Sequence, residues 1–553
     1  MSRGQGIVGQ DAATQDGLDL AGLGDRAGPP PVRAWRDPWA WAAVGVLLWS
    51  VASIALEVHS ARRLQFDMDE AVHARAGQEH LAAWRTGHPA AVLGLFARPD
   101  WYPPLDGMLR GLWYAAVGSS TTTARLYNTF VYALVAGVLW RSVRQLHPAA
   151  SRGFAFLPVL ALATDPLHAT GAAMAMLEVP ALLWTLLALH WHARALSGGP
   201  GWRHGAASLA AVAAFLTRYE NGVIVMAALG ISHLVRVTRD LRGARPLRRG
   251  VPPVLWYAAP ILLFVPAWLF GLGQIEWFLS VAGTNLHTMP GLSEENLLHY
   301  PRLLMRHPFT AATTMVLGLG VAWSLVARRF PPGALPYLVH LTLGLGLLTF
   351  RIEFLDRNAT LFVSAVWLLA SFYLAWASLH WRGPAAAGDH PAAPAALALA
   401  LLLLGFVIRP TPADFHGLYE NTNAEITRAY REVARVTRPW ERSSTHVVMF
   451  GRSDQRPGHA LEFHLASTCE RRGRSCDVDV QDTERLSLGW PLGSVPRDGS
   501  ARRMEAALAR ADFVVVFGRL PERLSGWKVV AEETYNPAVE GRTRLLKLTV
   551  LTR

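Results

Sequence analysis

The sequence predicts a mainly α-helical, polytopic membrane protein that ends in a small soluble α/β domain. Half of its 553 residues (51%) are hydrophobic and only 17% are charged, too apolar a balance for an ordinary soluble enzyme. Apolar runs of near-spanning length recur from residue 39, separated by short basic stretches, and the composition changes sharply after Pro410.

The net charge of +12 does not point to nucleic acid, because the Arg residues sit in short stretches between apolar runs rather than on one amphipathic face. Residues 1–36, rich in Gly, Asp and Pro, lack a basic-then-apolar leader; they are read as a disordered cytoplasmic tail, and the first apolar run as an uncleaved anchor.

A membrane-crossing helix needs about 20 apolar residues. Eleven candidates are legible: 39–57, 122–141, 153–170, 172–193, 205–217, 221–237, 254–273, 309–327, 334–350, 359–380 and 393–409. With the N-terminus inside, alternate loops carry Arg141, Arg144 and Arg152; Arg194 and Arg203; the six arginines from Arg236 to Arg249; Arg328 and Arg329; and Arg382. The positive-inside rule makes these loops cytoplasmic. Residues 58–121, 274–308, 351–358 and the tail then face outward, in a multi-pass protein of the plasma (inner) membrane.

In that tail, 411–553, the runs 446–450 and 512–517 read as strands, 458–471 and 501–511 as helices, and 527–552 as two strands turning near 536–541. No GxGxxG element follows either strand, so nucleotide binding has no motif behind it. Cys469 and Cys476 have neither CxxC spacing nor a His/Cys cluster beside them; an exported tail permits a disulfide between them.

The loop after the first span opens with Phe66-Asp67-Met68-Asp69-Glu70-Ala71-Val72-His73. Adjacent acids at a membrane surface suit general-base chemistry, while Asp69 suits equally the N-terminal cap of a helix starting at Glu70. Further on come Arg98-Pro99-Asp100-Trp101-Tyr102-Pro103-Pro104-Leu105-Asp106-Gly107 and then Ala124-Arg125-Leu126 at the start of the second span.

This ordered set, over roughly the first 220 residues, resembles the protein O-mannosyltransferase and aminoarabinose transferase superfamily, GT-C fold enzymes of the glycosyltransferase family 39 type that use polyprenyl-phosphate sugars. The resemblance implies a GT-C transmembrane catalytic domain over 37–410, with 58–121 as its first outer catalytic loop. It implies that Asp69 is the catalytic base and that Glu70 orients it or binds the acceptor. Asp100 falls where the family's mannosyltransferases carry an acid before His-Pro-Pro-Leu. Here Tyr102 stands in place of that His, and Asp106 separates Leu105 from Gly107, departures that leave the acceptor open.

Ionisable residues at membrane depth are functional candidates by default. Glu178, in Met176-Leu177-Glu178-Val179-Pro180, loosely resembles the family's acid in the fourth helix; a structural pair with a neighbouring Arg is the other reading, and the favoured one for Asp165. In Leu216-Thr217-Arg218-Tyr219-Glu220-Asn221, Arg218 suits a carrier phosphate, because a guanidinium donates bidentately and stays charged in a dry site. It suits equally a link to Glu220, with Tyr219 in the aromatic belt. The family carries an Arg before the tenth span, which here is Arg357 first and Arg351 second, unless both anchor at the interface.

The expected function is inverting transfer of a hexosyl or pentosyl unit from a polyprenyl-phosphate donor to a hydroxyl of a glycan, lipid or protein, in building the cell envelope. No cofactor or metal ligand set is identified, a divalent ion staying open, and the partners are the lipid-linked donor, membrane lipid and the acceptor. The alternative is a transporter or flippase of a lipid-linked saccharide; against it stand the absence of an internal repeat and the placement of the acidic motif in a loop.

Overall fold

The structure is a computed structural model that describes residues 37–63, 66, 68–97, 102–197, 200–242, 251–271, 274–275, 279, 294–327, 329–349, 356–382, 420–450, 458–474, 476–482, 498–517, 520–535, 538–539, 542–543 and 546–553. The first ten apolar runs fall on helices; the eleventh, 393–409, lies outside the described residues, as do 1–36 and the expected boundary near 410.

The helices are α1 (Pro38–Ser60), α2 (Met68–Arg85), α3 (Pro89–Ala97), α4 (Pro104–Val117), α5 (Thr121–Leu146), α6 (Gly153–Thr164), α7 (Pro166–Ala173), α8 (Glu178–Leu196), α9 (Trp202–Thr217), α10 (Tyr219–Arg242), α11 (Val251–Pro266), α12 (Glu294–Arg306), α13 (Pro308–Ala327), α14 (Ala334–Thr349) and α15 (Thr360–Arg382). Proline opens α1, α3, α4, α7 and α13, where its missing N–H costs no intrahelical bond. Ser120 starts α5 in a capping box with Thr123.

Length and apolarity qualify four described helices as membrane spans, namely α1, α13, residues 219–238 of α10 and residues 360–379 of α15; α7 with α8 makes a fifth if that pair, bent by 115°, counts as one. The expected number of eleven therefore does not carry over as a count. Part of the reason is local: the third and fourth runs are divided at Asp165-Pro166 and again at 174–177, leaving α6 with only 12 residues, and α9, α11 and α14 have 16 each. Asp165 caps α7, accepting from the His168 backbone N–H at 2.9 Å and lying 2.7 Å from its Nδ1, so its partner is a histidine rather than an arginine.

The 360–379 window of α15 is 89% buried against 28% for α1 and 22% for α13, which makes α15 the central helix and the other two peripheral. Phe156, Trp367, Phe372 and Tyr337 fill the core around it. Leu48, Leu56, Leu319 and Leu325 are more than 60% exposed on the periphery, an apolar surface that lipid covers. The chain is an integral membrane protein.

Past Glu420 stand α16 (Glu420–Thr437), β1 (Ser444–Phe450), α17 (Gly458–Arg471), β2 (Asp477–Asp482), α18 (Asp498–Arg510), β3 (Phe513–Phe517), β4 (Lys528–Tyr535), a two-stranded ribbon of β5 (Ala538–Val539) and β6 (Arg542–Thr543), and β7 (Leu546–Thr552). The main sheet runs β2-β1-β3-β7-β4; β1 is parallel to β2 and β3, and β7 is antiparallel to both β3 and β4. Alternation along the strands divides the side chains between two layers. Val447, Met449 and Val515 pack with α16 and α17, whereas Val448, Val514 and Val516 pack with Met504 and Ala507 of α18. The strands and helices read from sequence are present; β2, α16 and the β5–β6 ribbon are additions. A disulfide joins Cys469 to Cys476, tying the end of α17 to the chain entering β2.

Candidate active site

Asp69 occupies the first turn of α2, partly exposed, where a carboxylate is favoured by the helix dipole. The Tyr102 hydroxyl donates to its Oδ1 at 3.3 Å, and the Tyr102 ring meets His73 edge-on at 4.3 Å. The helix repeat aligns Asp69, His73, Ala76 and His80 on one side of α2. His73, Ala76 and His80 form one wall of a small open cleft, with Tyr102, Pro103, Pro104, Asp106 and Gly107 on the other. The carboxylate thus stands beside a cleft with imidazoles and a phenol on its walls.

Glu70, the neighbour of Asp69, points elsewhere. Its side chain is 2% exposed and accepts from Arg125 Nε and Nη2, both at 3.0 Å, and from the Ala175 backbone N–H at 2.8 Å. That third bond explains why so costly a pair is buried. Residues 174–177 break the helical ladder between α7 and α8, and non-helical backbone inside a membrane bundle is tolerated only where protein groups satisfy it. Asn128 donates to the carbonyls of Met174 and Met176, both at 2.7 Å, and Thr129 to that of Ala172 at 3.0 Å.

Arg110, fully buried on α4, completes the frame. It bonds Asp106 at 3.0 Å, the Ala124 carbonyl at 2.9 Å and Asn128 Oδ1 at 3.1 Å. Asp106, which separates Leu105 from Gly107, is therefore the partner of this cation.

α2 and α4 approach closely because glycines face each other. A Cβ on Gly111 would lie 2.8 Å from His80 Cβ and 3.0 Å from the Gly77 carbonyl oxygen. Small residues four apart allow helices to touch in this way. Gly111→Leu is expected to force the two helices apart and destabilise the protein by about 1–3 kcal/mol, the usual cost of overpacking, seen as a lowered melting temperature in detergent.

A second polar group lies where α9 gives way to α10. Arg218, at the C-terminal end of α9, donates to Glu178 at 3.3 Å and to Asn358 Oδ1 at 2.7 Å, and lies 3.8 Å from Glu220. The pairings of Arg218 with Glu220 and of Glu178 with a neighbouring Arg thus meet in one cluster, α8 supplying Glu178 and the turn Asp356–Ala359 adding Asn358. Tyr219, next in the chain, is 5% exposed, and its ring packs against Phe215 at 5.2 Å and Trp268 at 5.4 Å.

Asp100 and Arg351 lie outside the described residues, and so does the side chain of Arg357, whose neighbour Asn358 carries the contact to Arg218. Among the described residues no group of three or more His, Cys, Asp or Glu side chains is arranged to hold a metal ion.

Sequence reasoning passed over Arg110, Arg125, Asn128 and Asn358 as site residues. For Arg125 a signal existed: a cation in the first turn and a half of an apolar helix requires a buried acid, but the spacing does not say which one. Nothing in the sequence couples Asn128 to the break at 174–177, because the carbonyls it serves are backbone.

Glu70 ties the first turn of α2 to the break between α7 and α8, and the α/β layer packs against the same helix. Among solved structures, the chain is similar to ArnT from Cupriavidus metallidurans, an aminoarabinose transferase, bound to undecaprenyl phosphate: 14% identity, 92% of this chain and 98% of that chain covered, TM-score 0.52. The apo state of ArnT from Cupriavidus metallidurans matches with the same identity and coverage at a TM-score of 0.50. No family model and no curated protein matches the chain. At this identity the likeness is one of fold, and the fold is the one the motifs of the first 220 residues imply.

Proposed function

We propose that the chain is a glycosyltransferase that moves a sugar from a polyprenyl-phosphate carrier to a hydroxyl of a lipid, glycan or protein at the extracytoplasmic face of the membrane. The observation that carries this reading is Asp69, fixed by Tyr102 beside the α2–α4 cleft on a frame shared with ArnT, whose crystal structure holds undecaprenyl phosphate.

In the proposed reaction Asp69 takes the proton of the acceptor hydroxyl as its oxygen attacks the anomeric carbon. The bond from that carbon to the carrier phosphate oxygen breaks in the same displacement, which inverts the anomeric configuration. Lipid phosphate leaves with the electron pair. Arg218 is the group assigned to hold it: a guanidinium has five N–H donors, and the hydrogen bonds to Glu178 and Asn358 use two. Arg357 or Arg351 is assigned a supporting contact, and Asp100 a place near the acceptor. Glu70 acts through Arg125 by holding the first turn of α2. The lipid phosphate is itself the activating group, so no further cofactor is invoked, and burial of the polyprenyl tail supplies affinity.

The outward orientation is supported by the distribution of arginines among the loops and by the Cys469–Cys476 disulfide, a bond that persists in oxidising compartments. The test is transfer from a panel of radiolabelled undecaprenyl-phosphate sugars to a membrane extract by the purified protein. Label appearing in a non-lipid or altered-lipid product is the expected result. Donor movement across liposomes with no transfer from any donor would instead identify a flippase.

A further inference from the structure

The α/β layer is joined to α2 along the side opposite its cleft-facing row. Arg75 pairs with Glu462 of α17 at 3.0 Å and donates to the Val478 carbonyl of β2 at 3.4 Å. One turn on, Gln78 donates to Ser467 Oγ at 2.8 Å and to the Phe463 carbonyl at 3.4 Å. At the far end of α2, Arg85 pairs with Glu470 at 2.7 Å, and Glu470 also takes the Ser119 hydroxyl and backbone N–H. Phe66, just ahead of α2, meets Phe463 edge-on at 4.8 Å. Ala71, Ala74 and Leu81 are buried in the same apolar cluster as α16, α17 and the sheet.

Surface ion pairs contribute little, and Arg85 is half-exposed, but the seam at Arg75 and Gln78 is not a surface. The Glu462 side chain is 7% exposed and that of Arg75 is 16% exposed, and Gln78 is 6% exposed overall. An α-helix rises 1.5 Å per residue, so the six steps from Asp69 to Arg75 span about 9 Å of one rigid rod. A helix gripped at Arg75 and Gln78 on one side presents Asp69, His73 and His80 on the other in a fixed register. Misplacement of a reacting group by about 1 Å costs up to about a hundredfold in rate.

We propose that the C-terminal α/β layer is a clamp that sets the position of Asp69 by gripping α2, with Arg75, Gln78 and Glu462 as positioning residues. The proposal rests on the reading of Asp69 as the base. It gives the layer a defined part in catalysis that needs no substrate contact.

The test compares full-length wild type, Arg75→Glu, Glu462→Arg and the double exchange in lipid nanodiscs. Two quantities are read: amide exchange of α2, and transfer kinetics from radiolabelled undecaprenyl-phosphate sugar into a membrane extract. Each single reversal is expected to speed exchange in α2 and to lower kcat at least tenfold with the donor KM within about twofold. The double exchange recovers most of both, although residue 75 then faces Glu79, now 3.8 Å from Arg75. Should a reversal prevent folding, Glu462→Gln keeps the side-chain shape and is expected to lower kcat three- to tenfold.

Unchanged exchange in α2, or faster exchange with unchanged kcat, overturns the clamp. A wild-type protein that transfers nothing overturns the proposed function instead, and the exchange measurement then still decides whether the layer grips α2.

Discussion

Asp69→Asn is expected to lower transfer by about 10²–10⁴-fold, the range a positioned general base contributes, while leaving the protein folded. Asparagine is isosteric and still accepts from the Tyr102 hydroxyl, but its amide takes no proton from an attacking hydroxyl at neutral pH. The lost charge at a helix N-terminus costs about 0.3–1 kcal/mol. The measurement is kcat for transfer together with the melting temperature. Loss of activity at near-constant stability assigns the chemistry to Asp69; full activity removes it from the mechanism. The donor KM is expected to change little, because Asp69 is not the group assigned to the phosphate.

The second large effect is expected from Arg125→Leu, by a different route. Arg125 and Glu70 are 3% and 2% exposed, and removing one member of a buried pair leaves the other charge without compensation, typically at about 3–5 kcal/mol. Loss of the pair also frees the first turn of α2 and the break at 174–177, since Glu70 holds the Ala175 N–H. Arg125→Leu is therefore expected to lower both stability and transfer, in contrast to Asp69→Asn. Combining it with Glu70→Leu removes the stranded charge and is expected to recover part of the stability, short of wild type by about 1–3 kcal/mol for the unsatisfied Ala175 N–H. Thermal melts of the two singles and the double in detergent check this. A double variant no more stable than Arg125→Leu would show that the pair is not what holds this region.

These two residues lie 56 positions apart in sequence yet act on the same turn of α2, which explains why their effects are separable by experiment and not by inspection of the motif. Asp69 and Glu70 are adjacent, but a helix turns about 100° per residue, so they face different partners. One reaches Tyr102 beside the cleft and the other Arg125 in the bundle.

The sequence by itself determined the fold class, the apolar runs that become helices, the main strands of the α/β layer and the loop that carries the candidate base. Each of these is written in local terms: period, composition, proline and serine at helix starts, and an ordered set of short motifs. The tertiary structure alone decided how the polar groups pair. It divided the third and fourth runs at Asp165 and 174–177, placed Tyr219 among aromatic rings, gathered Glu178, Arg218 and Asn358, and set Arg75 and Gln78 against α17. The physical reason is that hydrophobic burial follows a periodic pattern along the chain, whereas a buried charge takes whichever partner the folded bundle brings within about 3 Å, and that distance has no signature in sequence spacing.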